Sequence, residues 1–246
     1  MTSLIDCFTP TEIEERSFSI IGSELGLGPE SPSPTRLACE LFPRTGGRLP
    51  FADDAWQVAR RLVHASADYS LLPHLHIPAG AVRAGVAALR GGAPVYTDTE
   101  MARAGMPLRR LTPLGVKPAC LLSLPGVAEY AREKNMTRAR AAFELAAAEG
   151  RLGGSILAVG NAPTALLALL DYFAGLDRVA GNGSPAALPA LVIAMPVGFV
   201  NAAESKELLL ARPGLPCIAI RGRRGGSPLA AATVNALAEL ALRPAP

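Results

Sequence analysis

The feature that most constrains this chain is a repeated alternation of short apolar runs with longer Ala- and Leu-rich stretches. The runs at 94–97, 119–124, 155–159, 191–194 and 217–220 are too short for helices and almost wholly apolar. A strand that is apolar at nearly every position is buried on both faces, as happens in parallel sheets. The stretches at 81–90, 127–134, 138–149, 163–173, 203–211 and 229–242 read as helices between them. The expected fold is therefore α/β, with three α/β/α layers around a mainly parallel five-stranded sheet.

The flanks are less regular. Thr9-Pro10-Thr11-Glu12 has the form of a capping box with Pro at the first helical position, so a helix starts there and ends before Gly26. A second helix starts at Asp53 or Asp54. Its apolar stripe is Ala55, Val58, Ala59, Leu62 and Val63, and His64 sits at the edge of that stripe. Residues 28–50, rich in Pro, Ser and Gly, read as a long surface loop, and 181–185 as a shorter one. There is no internal repeat and no clean linker, so the expectation is one domain over 1–246.

Several function classes fall away at this stage. With 24 Lys+Arg against 21 Asp+Glu, the charge is too balanced for nucleic-acid binding, which needs a strongly basic face. The start of the chain has no basic, apolar and cleavable sequence of signal-peptide type. The apolar stretch 188–200 holds two prolines and is too short to span a bilayer. Cys7, Cys39, Cys120 and Cys217 lie far apart with no CxxC pair, and His64, His74 and His76 lack metal-ligand spacing. The expectation is a cytoplasmic protein with reduced thiols, no bound metal and no cofactor.

In sheets of this kind ligands bind beyond the carboxyl ends of the strands. That rule selects Thr97-Asp98-Thr99-Glu100, Gly160-Asn161-Ala162-Pro163-Thr164, Met195-Pro196-Val197-Gly198 and Arg221-Gly222-Arg223-Arg224-Gly225-Gly226-Ser227. The Gly160–Thr164 turn opens a helix, and its N–H groups can hold an anion; a tight turn capped by Asn161 fits equally well. The three arginines of the last loop can clamp carboxylates, or they can simply be solvated, with Ser227 capping the final helix. His64 is either a structural histidine or a proton donor. No GxSxG, GxGxxG or Walker sequence is present. The residues by themselves lead to an α/β domain with an anion-friendly crevice.

Several segments together resemble the precorrin-8X methylmutase family. They begin with Glu14-Glu15-Arg16-Ser17-Phe18-Ser19-Ile20-Ile21, Leu62-Val63-His64-Ala65 and Gly92-Ala93-Pro94-Val95 leading into Thr97-Asp98-Thr99-Glu100-Met101. They continue through Thr137-Arg138, Gly160-Asn161-Ala162-Pro163-Thr164-Ala165, the run from Met195 through Gly198 to Glu204-Ser205-Lys206, and the Arg221–Ser227 loop. The resemblance implies a flavodoxin-like fold, a homodimer with its pocket near the subunit interface, and migration of a methyl group on ring C of a corrin. It implies His64 as general acid with Ser17 and Arg138 beside it. It also implies a substrate surface drawn from Arg16, Thr97, Asp98, Thr99, Glu100, Asn161, Thr164, Gly198, Glu204, Ser205, Lys206, Arg221, Gly225, Gly226 and Ser227. The alternative is a non-catalytic corrinoid-binding protein that sequesters its ligand.

Overall fold

The structure is a computed structural model that describes residues 9–27, 33–180 and 188–244. The Thr9 capping box forms as expected, with both reciprocal bonds to Glu12, and starts α1 (Pro10–Glu24). A short α2 (Arg36–Leu41), capped by Thr35, and a 3-10 turn at Pro43–Thr45 follow. The expected loop over 28–50 is thus partly helical where it is described. The long helix α3 (Asp53–Ser66) ends on Ala67 in the left-handed conformation. A 3-10 segment, Tyr69–His74, then leads into β1 (Leu75–His76).

The alternating part follows: α4 (Ala79–Arg90), β2 (Val95–Thr97), α5 (Glu100–Ala104), α6 (Leu108–Leu111), β3 (Ala119–Cys120), α7 (Val127–Glu133) and α8 (Arg138–Ala148). Next come β4 (Ile156–Val159), α9 (Pro163–Ala180), β5 (Leu191–Ala194), α10 (Ala202–Leu210), β6 (Cys217–Ile220) and α11 (Ser227–Leu242). The expected strand at 119–124 stops at Cys120, because Leu121–Ser123 turn into a 3-10 segment. The helix from 163 runs past Phe173 to Ala180. The expected loop at 181–185, like Cys7, lies outside the described residues.

Among the described residues the sheet has six strands, in the order β1-β6-β5-β4-β2-β3, not five. The added strand is β1, which pairs antiparallel with the edge strand β6, setting Leu75 opposite Ile220. Its two residues are too few to carry a periodic signal, so only tertiary pairing makes them a strand. The other five strands are mutually parallel. Counted by themselves they run 2-1-3-4-5, the order of flavodoxin-like doubly wound sheets.

Alternate residues of the central strands feed two separate cores, which is why the strands read as unbroken apolar runs. Ile156, Ala158, Leu191, Ile193, Ile218 and Ile220 pack with α1, α3, α4 and α11. Leu157, Val159, Val192, Ala194, Cys217 and Ala219 pack with α7, α8, α9 and α10. Among the described residues no helix is long and apolar enough to cross a membrane.

One close approach locks α11 against the sheet. A Cβ at Gly160, just past β4, meets the Ser227 Cα at 2.7 Å and its backbone nitrogen at 3.0 Å. Backbone cannot step aside as a side chain can. Gly160→Ala is expected to cost about 1–3 kcal/mol of stability, measured by urea denaturation; an unchanged midpoint would mean that α11 shifts freely.

Candidate active site

The topology places the switch point between β2 and β4, where the loops after neighbouring strands part to opposite sides. Asp98 follows β2 and is almost fully buried there. Its Oδ1 accepts from the Gly160 N–H at 2.8 Å, and its Oδ2 from the N–H groups of Asn161 and Ala162, both at 2.7 Å. The anion at the start of α9 is therefore the chain's own carboxylate. Burial raises the Asp98 pKa, and the three N–H groups oppose that rise. The Asn161 side chain stays exposed at the rim. Thr164 exchanges a 2.8 Å hydrogen bond with Thr137, the N-cap of α8.

The neighbouring loops are also held from within. Thr97 donates from its hydroxyl to the Thr99 carbonyl, and the Thr99 and Ser227 hydroxyls lie 2.9 Å apart. Glu100 is exposed and pairs with Arg103 and with Ser123, which donates at 2.6 Å. Lys206 is fully buried and forms no salt bridge among the described residues. Its Nζ donates to the carbonyls of Pro196 at 3.0 Å and Arg224 at 2.8 Å, joining the loop after β5 to the loop after β6. Burial of the charge pulls its pKa down to about 8. Ser205 is buried beside it, while Glu204 is exposed. At Gly225 a Cβ would sit 2.1 Å from the Met195 carbonyl oxygen, and the Gly226 N–H donates to that same oxygen at 2.8 Å. Gly198 donates to the Arg223 carbonyl at 3.1 Å.

His64 reaches this edge from the end of α3. β1 is antiparallel to β6, so the segment before it approaches the carboxyl end of β6, where the Arg221 N–H donates to the His74 carbonyl at 2.8 Å. Half-buried His64 lines a cavity of about 200 Å3 with Ser17, Ile20, Ile21, Val63, Ala67 and Tyr69. Larger hollows lie elsewhere, one of about 710 Å3 around Arg83, Arg90 and Arg243 and one of about 540 Å3 around Arg48 and Trp56. Neither holds a residue matched to the family motifs, so size does not locate the chemistry.

A charged layer that the sequence did not disclose stands behind the imidazole. The Phe18 ring meets His64 edge-on at 5.5 Å, and the guanidinium groups of Arg60 and Arg61 lie 4.1 and 4.8 Å from the Phe18 centroid. Buried Arg61 forms ion pairs with Glu14 of α1 and Glu239 of α11, and Arg110 of α6 joins Glu14 at 3.0 Å and Asn235 at 2.6 Å. The Arg61 hydrogen bond leads in pulling the Glu14 pKa down to about 2. Burial, then the Arg61 charge, lower the His64 pKa, and Glu14 opposes them. Glu14 and Glu239 lie 47 and 178 positions from Arg61, and no local pattern joins them to it.

Arg138 is the exposed first residue of α8, on the opposite side of the sheet from α3. α8 runs back toward the start of β4, so its N-terminus also lies at the carboxyl edge. The structure thus brings Ser17 to His64, and sets Arg138 on the same edge across the sheet. Arg16 is exposed on α1. Arg221 pairs with Glu207. Among the described residues no group of three or more His, Cys, Asp or Glu is arranged to hold a metal.

Two measurements test this geometry. Asp98→Asn turns an amide N–H toward one of the three backbone donors, and a stability loss of about 1–3 kcal/mol is expected in thermal unfolding; an unaltered transition would show that the carboxylate is not needed there. The proton NMR titration of His64 is expected to have its midpoint below 6.5. It should fall further in Glu14→Gln, which leaves the Arg61 charge less neutralised; a rise would refute that electrostatic order.

Known proteins resemble this chain over most of its length. A family model described as precorrin-8X methylmutase matches residues 12–240. A cobalt-precorrin-8 methylmutase of Leptospira interrogans is 37% identical over 230 residues, covering 92% of this chain and 91% of that protein. A precorrin-8X methylmutase of Pseudomonas aeruginosa is 42% identical over 186 residues, covering 75% of this chain and 84% of its own. The crystal structure of a precorrin-8X methyl mutase from Thermus thermophilus superposes with a TM-score of 0.71 at 36% identity, covering 93% of this chain and 96% of that one. With a family match over nearly its whole length and an architecture shared with a solved member, the chain belongs to the precorrin-8X methylmutase family of isomerases.

Proposed function

We propose that the protein moves a methyl group between adjacent carbons of ring C of a corrin in cobalamin biosynthesis, with His64 as the general acid. The substrate is precorrin-8X, giving hydrogenobyrinate, or cobalt-precorrin-8, giving cobyrinate; cobalt, when present, belongs to the substrate. The observation that carries this reading is the position of His64. It faces a cavity shared with Ser17, Tyr69 and apolar side chains, at the edge of the sheet where ligands bind.

The chemistry asked of the residues is small. An N–H from the imidazole to the ring nitrogen near the migrating carbon polarises the conjugated system and lowers the barrier to a sigmatropic shift. Substrate and product are isomers, so any proton lent returns to His64. Ser17 helps to orient the imidazole or the ring edge. Arg138 holds a substrate carboxylate, as a planar guanidinium suits. If the protonated imidazole is required, kcat/KM falls as pH rises through the lowered His64 pKa, below 6.5.

The active unit in this reading is a cytoplasmic homodimer. The His64 cavity, about 200 Å3, is smaller than the roughly 300–1,000 Å3 that encloses even a drug-sized ligand. Arg138 lies across the sheet from it. Ile20, which lines that cavity, and Ile13, seven positions earlier on α1, are each 50% exposed, an apolar surface suited to burial by a second copy. The partner then supplies the missing wall and its own Arg138.

Subunit complementation with absorbance-monitored turnover tests both parts. His64→Ala is expected to abolish turnover while retaining corrin binding, and Arg138→Ala to weaken turnover at least tenfold. Mixing the two variants should restore about a quarter of wild-type activity if each site draws on two subunits. Near-normal turnover by His64→Ala would remove it from the mechanism; failure of the mixture to recover would confine each site to one subunit.

A further inference from the structure

The three arginines of the loop after β6 are treated differently by the fold. Arg221 is neutralised by Glu207. Arg224 donates to the Ser70 hydroxyl at 2.5 Å and lies 3.5 Å from the Asp68 carboxylate. Both therefore tie the loop to the rest of the protein. Arg223 has no acceptor for its guanidinium among the described residues. Its guanidinium carbon lies over the Phe199 ring, 5.4 Å from the ring centre, and Phe199 is 82% exposed.

The backbone beneath this pair is rigid. The buried Lys206 ammonium bridges the two loops, and Gly198 donates to the carbonyl of Arg223 itself. Gly225 packs directly on the Met195 carbonyl, so close that a Cβ there would clash with it. A guanidinium held over an aromatic ring by its charge keeps its N–H groups available to an acceptor. Its edge matches a carboxylate through two parallel hydrogen bonds. The exposed ring offers an apolar surface next to it for the hydrocarbon from which the carboxylate hangs.

We propose that Arg223, seated on Phe199, reads a carboxylate arm of the corrin and makes the enzyme prefer carboxylate-bearing over amidated corrins. This rests on the corrin reading above. It assigns the selective contact to one arginine of the loop and gives Arg221 and Arg224 the role of bracing it. Phe199 is a positioning residue that holds the guanidinium plane.

The test is equilibrium binding, followed by corrin absorbance, of hydrogenobyrinic acid and of its fully amidated counterpart. The wild-type protein is expected to prefer the acid. Arg223→Met should weaken binding of the acid roughly ten- to hundredfold and leave the amide unaffected, which also shows that the variant is folded. Arg223→Lys should recover part of the preference, because it returns the charge without the planar edge, and Phe199→Leu should lie between wild type and Arg223→Met. An undiminished preference for the acid in Arg223→Met overturns the inference and leaves the isomerase reading intact. A changed mass of Arg223→Met on size exclusion would assign the pair to a subunit contact and overturn it as well. Failure of the wild-type protein to bind either corrin would overturn both readings.

Discussion

The carboxyl edge of this sheet depends on the Asp98 carboxylate and the three N–H groups it caps at the start of α9. Two adjacent parallel strands, β2 and β4, end there, and their following segments diverge. Left unfilled, the turn at Gly160 would carry unpaired donors at a helix N-terminus. A buried carboxylate is costly without partners, and the same donors without an anion would be costly too; together they satisfy each other. Because Asp98 spans both strand ends, the loops beyond them inherit a fixed separation. Thr99 to Ser227 and Thr137 to Thr164 are hydrogen bonds laid on that frame.

The edge is then built from pieces of opposite electrostatic character. On one face, Phe18 stands between His64 and two guanidinium groups, so the imidazole sits near positive charge without touching it. Glu14 and Glu239 compensate Arg61 and tie α1, α3 and α11 together in one step. A buried Arg with two acidic partners contributes less to net stability than to the fixed placement of what surrounds it. In the middle of the edge, Lys206 does similar work with neutral acceptors. Its charge meets two carbonyl dipoles, and its depressed pKa is the sign of that incomplete compensation.

Much of the fold was legible from the sequence for a simple reason. Strands buried on both faces must be apolar throughout, and β4, β5 and β6 are. The Thr9 capping box, with donor and acceptor three residues apart, could also be read directly. What could not be read were elements stabilised only by distant partners. β1 exists because β6 lies beside it, and the turn after Cys120 cuts short an apolar run that looked like a longer strand. The site was legible in part through motifs: Ser17 and His64 do share a cavity. The internal contacts of Asp98 with chain donors and of Lys206 with carbonyls left no mark in the local spacing.

The sequence alone determined the alternation of strands and helices, the apolar content of the sheet, and the family to which its motifs point. These follow from local spacing and residue chemistry, which survive without coordinates. Only the tertiary structure decided which charges are already spent. Whether Arg221, Arg223 or Arg224 retains an open guanidinium depends on Glu207, Ser70, Asp68 and Phe199, residues brought together from different elements. Pairing between charges falls off over a few ångströms, and distance along the chain says nothing of distance in space.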